Sequence, residues 1–309
     1  MKISFVIPCY RSEKTLAGVM GEVRSALLAH PEVEYECILV SDQSPDDVWS
    51  VISRLHDEDP VRVKGLELAR NFGQHAALMA GYAHVSGDYV VSLDDDGQTP
   101  VEAVWSLISK IEGERLDVVY GSYPVKRHSG FRNLGSRIND WMACWLLDKP
   151  SGLKVTSFFV ARRFVIDEML KYAGPFPYVI GLVLRATRKV ANVPVEHRDR
   201  AEGVSGYTFA KLLGLWMNGF TAFSVKPLRL ASFAGILCSL FGFGFGVWAV
   251  INKLFINPDA PIGYSSLMAA VLFIGGVLML VLGLIGEYVG RIYICINQSP
   301  QYVVGRKLV

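Results

Sequence analysis

The chain has 309 residues, a formal net charge of +2 and a hydrophobic fraction of 51%. That length accommodates one sizeable core plus an extra module. The near-neutral balance, with no Lys/Arg block, excludes a dedicated nucleic-acid binder. Five cysteines (Cys9, Cys37, Cys144, Cys238, Cys295) are scattered without a C-x-x-C pair. They indicate neither a zinc site nor a disulfide framework and suit a reducing, cytoplasmic face.

Met1-Lys2 runs directly into strand pattern, so no signal peptide is expected. Ile3 to Pro8 is a continuous apolar strand ending at Cys9-Tyr10. The helix after it repeats Leu16, Val19, Met20, Val23, Leu27 and Leu28 on the 3.6-residue period. Tyr35 to Val40 predicts the next strand, which ends at Ser41-Asp42-Gln43-Ser44, with a helix starting near Asp46. Val61 to Leu68 and a helix from Gln74 to Val85 repeat the unit, followed by the short β-branched strand Tyr89 to Leu93. Alternation of this kind predicts an α/β fold built on a doubly wound, mostly parallel sheet.

Tyr89 to Leu93 opens directly into Asp94-Asp95-Asp96-Gly97-Gln98. Charges are costly to bury, so three acids at the carboxyl end of an interior strand need a cation or a partner. Ligands of open α/β sheets also sit at that end. Asp94 and Asp96, two apart, can share one hard divalent ion, Mg²⁺ or Mn²⁺. The bland alternative is an acidic turn in which Asp96 caps a helix beginning near Pro100. A calcium EF-hand loop fits poorly, because its closing glutamate would fall at Ala103. Tyr10 and Asp42 also follow strands, so they converge with the three acids on one cleft. No G-x-G-x-x-G or G-x-x-x-x-G-K-[ST] is present, so a bound diphosphate would be neutralised by metal and basic side chains.

Asp117 to Tyr120 predicts a strand, followed by the basic loop Lys126-Arg127-His128. Arg132 to Leu147 reads as a helix with Trp141 and Trp145 on one face, suited to core packing or to an acceptor groove. Val155 to Val160, a helix after Arg163, and Lys189 to Val195 complete the globular part. The polar stretch 196–207 carries Arg198, Arg200, Ser205 and Tyr207, and is either a phosphate-gripping loop or a solvated linker.

Phe209 to Phe223 is amphipathic and reads as an interfacial helix or an ordinary core helix. Leu230 to Ile251 and Ile262 to Gly286 carry no charge; each is long enough to cross a bilayer core of about 30 Å. Lys226 and Arg229 precede the first span, and Arg291, Arg306 and Lys307 follow the second. The positive-inside rule therefore puts both ends in the cytoplasm. Gly242-x-Gly244-x-Gly246 and Gly286-x-x-x-Gly290 would allow close helix approach, so a homo-oligomer is expected. Glu287 pairs by spacing with Arg291. The expected layout is a catalytic domain over 1–205, an interfacial helix region over 206–227, a transmembrane hairpin over 228–290 and a cytoplasmic tail over 291–309.

Val6-Ile-Pro-Cys-Tyr10, Ser41-Asp-Gln-Ser-Pro-Asp-Asp47, Arg70-Asn-Phe-Gly73, Leu93-Asp-Asp-Asp-Gly-Gln98 and the two apolar spans together resemble family-2 glycosyltransferases of the GT-A fold. Within that family the polyprenyl-phosphate sugar transferases are most similar. The resemblance implies inverting transfer of a sugar from a nucleotide-diphosphate donor, expected to be a UDP-sugar, to undecaprenyl or another polyprenyl phosphate. The inner membrane and cell-envelope glycan or lipopolysaccharide modification are the implied setting. It implies Pro8 and Tyr10 beside the nucleobase, Asp42 bonded to the base, and Asp94 and Asp95 on the nucleoside side. Asp96 and Gln98 would hold Mg²⁺ or Mn²⁺, and Arg200 would meet a phosphate. Arg127, Arg198, Ser205 and Tyr207 are the further acceptor-phosphate candidates. Arg11 stands where the family usually has Asn, Gln43 where Gly is common, and Thr156-Ser-Phe-Phe-Val160 where G-D-F-R-L is usual. Two other readings are a membrane glycosyltransferase extending a polysaccharide and a non-catalytic membrane assembly or lipid-carrier protein.

Overall fold

A computed structural model describes residues 1–123, 149–196, 198, 226–251, 263–297 and 299–309, with positions 144 and 255. It divides into two compact units, Met1–Leu212 with Gln298–Val309, and Leu213–Asn297.

The first unit is built on an eight-stranded sheet in the order β7-β5-β6-β4-β1-β2-β3-β8. In chain order the strands are β1 Lys2–Cys9, β2 Glu34–Ser41, β3 Val63–Leu68, β4 Tyr89–Ser92, β5 Val118–Ser122, β6 Phe159–Arg162, β7 Val190–Pro194 and β8 Val304–Leu308. The helices are α1 Leu16–Leu28, α2 Val48–Glu58, α3 Gln74–Tyr82, α4 Val104–Gly113, α5 Arg163–Leu170 and α6 Val179–Ala186. Side chains alternate across each strand, and the sequence places apolar residues on both sides. Ile3, Phe5, Ile7 and Cys9 of β1 join the core formed with α1, α2 and α4. Val6 faces the other way, toward α3. There a Cβ on Gly81 would stand 2.4 Å from Val6 Cγ1, so only glycine admits so close an approach. Both faces are therefore covered, as a parallel sheet requires.

Two strands depart from the parallel expectation. β6 runs antiparallel to both β4 and β5, and β8 runs antiparallel to β3. The strand expected over Val155 to Val160 begins at Phe159 instead. The Thr156 hydroxyl shares its one proton between the carbonyls of Gly121, at 2.7 Å, and Phe158, at 2.9 Å, in the loop ahead of β6. β8 lies in the segment read from sequence as a tail: it belongs to the first unit and pairs Gly65 with Leu308 and Glu67 with Arg306. Helix α6 was not expected from the sequence.

The second unit contains α7 Lys226–Ile251 and α8 Tyr264–Ile296. Helices of 26 and 33 residues extend roughly 39 and 50 Å at 1.5 Å per residue. Among the described residues one segment, Phe273–Ile296, is long and apolar enough to cross a membrane, and Gly235–Phe245 is a shorter apolar stretch. Phe241, Phe243 and Met279 are exposed. The segment 206–225 expected to be interfacial lies outside the described residues; Lys226 opens α7. Gly286, Glu287 and Gly290 lie on α8, while the Arg291 side chain is outside what is described.

Candidate active site

β4, β1 and β2 are parallel neighbours, so their carboxyl ends deliver Leu93–Gln98, Cys9–Arg11 and Ser41–Ser44 to one edge. Backbone and side-chain bonds stitch these turns together. The Tyr10 N–H donates to Asp95 Oδ2 at 2.9 Å, and the Thr15 hydroxyl donates to the Asp95 carbonyl at 2.6 Å. The Arg11 N–H donates to Ser44 Oγ at 2.8 Å. Tyr10 itself is 45% exposed, with the Arg11 guanidinium 5.6 Å from its ring centroid, and Pro8 is the penultimate residue of β1.

Asp42 sits deeper, 4% exposed. Its Oδ1 accepts from the Phe72 N–H at 2.7 Å and its Oδ2 from the Gly73 N–H at 2.8 Å. The Asn71 amide donates to the Asp42 carbonyl at 3.2 Å. Arg70-Asn-Phe-Gly73 is thus folded around this carboxylate. Gly73, at φ +92°, makes a left-handed entry into α3 that a side chain would strain.

Asp94 is gripped on both oxygens: Gln74 Nε2 donates to Oδ1 at 3.0 Å and the Ser157 hydroxyl donates to Oδ2. Asp96 Oδ1 accepts from the Gln98 N–H at 3.1 Å across a turn made by Gly97 at φ +70°. Asp96 does not cap the next helix, which begins as a short 3-10 turn over Val101–Ala103 with no side-chain cap. Gln98 is bracketed by Arg198. The Arg198 N–H donates to the Gln98 carbonyl at 3.0 Å, and the Gln98 amide donates to the Arg198 carbonyl at 3.5 Å. The Arg198 guanidinium lies 2.6 Å from Glu22 Oε1 and 3.7 Å from Glu102 Oε2.

Burial dominates the electrostatics. It pushes the carboxyl of Asp94 up to about 6, with the neighbouring charges of Asp96 and Asp95 adding to the rise and the Ser157 bond opposing it. Burial also raises Asp95 and Asp42 against the backbone N–H bonds that favour their ionised forms. Raised carboxyls gathered on one sheet edge make this a candidate functional site. Among the described residues no three His, Cys, Asp or Glu side chains form a ready-made metal cage. The donor set is sparse: carboxylates whose mutual repulsion a dication would relieve. Such a set suits Mg²⁺ or Mn²⁺ sharing its shell with substrate phosphates and water.

Of the residues expected from sequence, the structure brings Pro8, Tyr10, Asp42, Asp94, Asp95, Asp96, Gln98 and Arg198 into this neighbourhood. Arg127, Arg200, Ser205 and Tyr207 lie outside the described residues, as do Trp141 and Trp145. Gln74 and Ser157 escaped the sequence reading of the site. Their signals were slight: Gln74 follows Arg70-Asn-Phe-Gly73 directly, and Ser157 occupies the usual Asp position of G-D-F-R-L. The other two departures share a physical feature. Arg11 and Gln43 adopt φ +59° and +48°, a region comfortable for Asn and Gly and strained for other side chains.

Comparison with known proteins gives this edge its context. Residues 4–169 match the family described as glycosyl transferase family 2, more than half of the chain. The chain belongs to this family. Residues 226–292 match the GtrB C-terminal hairpin. The chain is 32% identical over 306 residues to the undecaprenyl-phosphate 4-deoxy-4-formamido-L-arabinose transferase of Klebsiella pneumoniae, covering 99% of this chain and 93% of that one. The protein of the same name from Sodalis glossinidius is 33% identical over 304 residues, covering 98% and 93%. Mannosyl-3-phosphoglycerate synthase from Rubrobacter xylanophilus shares the fold, with TM-score 0.52, 15% identity and 74% of each chain covered. The family-2 glycosyltransferase therefore carries a GT-A-like α/β domain with a mixed sheet.

Proposed function

We propose that this enzyme moves a sugar from a nucleoside-diphosphate donor, expected to be a UDP-sugar, onto the phosphate of undecaprenyl or a similar polyprenyl phosphate, with inversion at the anomeric carbon. The observation that carries the proposal is 32% identity running through both the sheet domain and the hairpin to a transferase named for that acceptor. The product would serve cell-envelope glycan or lipopolysaccharide modification.

The exposed ring of Tyr10, with Pro8 beside it, offers a stacking surface for the nucleobase, and Asp95 fixes that ring's backbone. Asp94 would face the nucleoside and Asp42 the base, the latter also organising the turn 70–74. Asp96 and Gln98 would hold Mg²⁺ or Mn²⁺, which when bound would stabilise the departing diphosphate as a Lewis acid. Arg198, through its bonds to Gln98, would keep that loop in place. Arg200 would meet a phosphate, and Arg127, Arg198, Ser205 and Tyr207 would complete the acceptor side. No carboxylate base is required, because a phosphate monoester with a second pKa of about 6 is already ionised near neutral pH. Positioning then supplies much of the catalysis.

Membrane attachment through α7 and α8, with both chain ends cytoplasmic, belongs to the same reading. Residues 1–212 and 298–309 cluster in one compact unit, which supports an even number of crossings. The basic residues flanking the hairpin support the cytoplasmic side. Assembly as a homo-oligomer rests on the glycine spacing within these helices.

The test incubates purified full-length protein with undecaprenyl phosphate, Mn²⁺ and a panel of labelled nucleotide-sugars. One donor should carry label into the organic phase, and Asp96→Ala should lower that transfer on the order of 100-fold or more. No label in the lipid with any donor would remove the proposal. Full turnover in excess chelator would remove the metal from it.

A further inference from the structure

The motif Arg70-Asn-Phe-Gly73 carries no assigned role in the reaction. Its backbone caps Asp42 at the end of β2, with N–H distances of 2.7 and 2.8 Å. The next residue, Gln74, opens α3 and reaches Asp94 at the end of β4. β1 lies between these two strands, so one five-residue turn spans it and joins the two outer carboxylates. From the opposite side Ser157 takes the second oxygen of Asp94. Thr156 anchors Ser157 through its bonds to Gly121 and Phe158.

We propose that Gln74 and Ser157 are positioning residues that fix the plane of the Asp94 carboxylate for the nucleoside diphosphate, with the turn Arg70–Gln74 setting its register against Asp42. This rests on the donor reading given above. A carboxylate held by one donor on each oxygen keeps one orientation; with either donor removed it can rotate. Both donors are neutral, so they orient Asp94 without discharging it, and the carboxylate retains lone pairs for a ligand. Neither side chain is asked to touch a reacting atom. The effect therefore belongs to donor affinity rather than to the transfer step or the lipid acceptor.

The experiment measures binding of UDP, GDP, CDP, ADP and TDP to the full-length protein in detergent with Mn²⁺ by calorimetry, and takes forward the tightest. Gln74→Ala and Ser157→Ala should each weaken that nucleotide about tenfold, the scale of one hydrogen bond to a charged group. Ser157→Thr, which keeps the hydroxyl, should restore most of the loss. With the cognate donor, KM for the donor should rise in both alanine variants while kcat and the KM for undecaprenyl phosphate stay within about threefold. A folded Ser157→Ala and Gln74→Ala pair with wild-type nucleotide affinity would overturn the proposal while leaving the donor reading intact. Equal losses in Ser157→Ala and Ser157→Thr would also overturn it, because the hydroxyl would then be irrelevant. Failure of the wild-type protein to bind any of the five nucleotides would overturn the donor reading and this proposal with it.

Discussion

Glu36 on β2 shows how single residues hold the sheet at the end remote from the acids that follow β4. Its side chain is 2% exposed. Oε1 accepts from the Ser4 hydroxyl on β1 at 2.7 Å and from Ser86, ahead of β4; Oε2 accepts from Lys64 on β3 at 2.8 Å. Burial pushes its carboxyl up, but the bonds from Lys64, Ser4 and Ser86 together outweigh burial and hold it at about 2. A carboxyl depressed on folding contributes stability that is present above its unfolded value, about 4.5. That stability is lost as pH falls from there toward 2. The contribution is on the order of 3 kcal/mol. Urea unfolding of wild type should therefore weaken over that window more than unfolding of Glu36→Gln, whose curve should be flatter. Parallel curves would show that Glu36 does not supply the slope. The three acids after β4 stood out in the sequence because a β-branched strand ending in three carboxylates has few inexpensive explanations. The backbone N–H groups of Phe72 and Gly73 leave no mark in a sequence, so the burial of Asp42 beneath them was not legible.

At the scale of elements, the alternation of strand and helix through β4 was readable because each strand is apolar and each helix keeps its period. Strand direction is another matter. β6 has the composition of any buried strand, and only its pairing with Tyr89–Ser92 and Val118–Tyr120 shows that it runs antiparallel. β8 was missed because Val304–Leu308 contains Gly305, Arg306 and Lys307, a composition that reads as tail. Those charges suit an edge strand, where they discourage further pairing. Arg306 lies 3.0 Å from Glu67, and the Ala69 N–H donates to the Val303 carbonyl at 2.8 Å, just before the turn that caps Asp42. Leu308 packs over Gly65, where a Cβ would approach its Cδ1 at 3.2 Å. Removing residues 303–309 strips that cover from β3 and should lower the thermal midpoint of the full-length protein by about 5 °C, the equivalent of roughly 2 kcal/mol in a domain this size. An unchanged midpoint would mean that β8 is a passenger on the sheet.

For the whole molecule, the chain leaves the sheet domain, forms the hairpin-matching segment, and returns to add an eighth strand to the same sheet. The sheet domain was visible in sequence through its acid-ended strands, and the hairpin-matching segment through its charge-free runs. The donor's identity is not written in these acids, because the bonds that Asp42, Asp94 and Asp95 accept from Phe72, Gly73, Gln74, Ser157 and Tyr10 are set by the fold and are the same whatever sugar is carried. The most direct measurement is mass spectrometry of the lipid formed from undecaprenyl phosphate and the cognate nucleotide-sugar, with the released nucleotide identified alongside. Sugar transfer predicts a glycosyl lipid monophosphate and a free nucleoside diphosphate. A glycosyl lipid diphosphate with a nucleoside monophosphate would contradict it, because the bond broken would then lie within the diphosphate and not at the anomeric carbon.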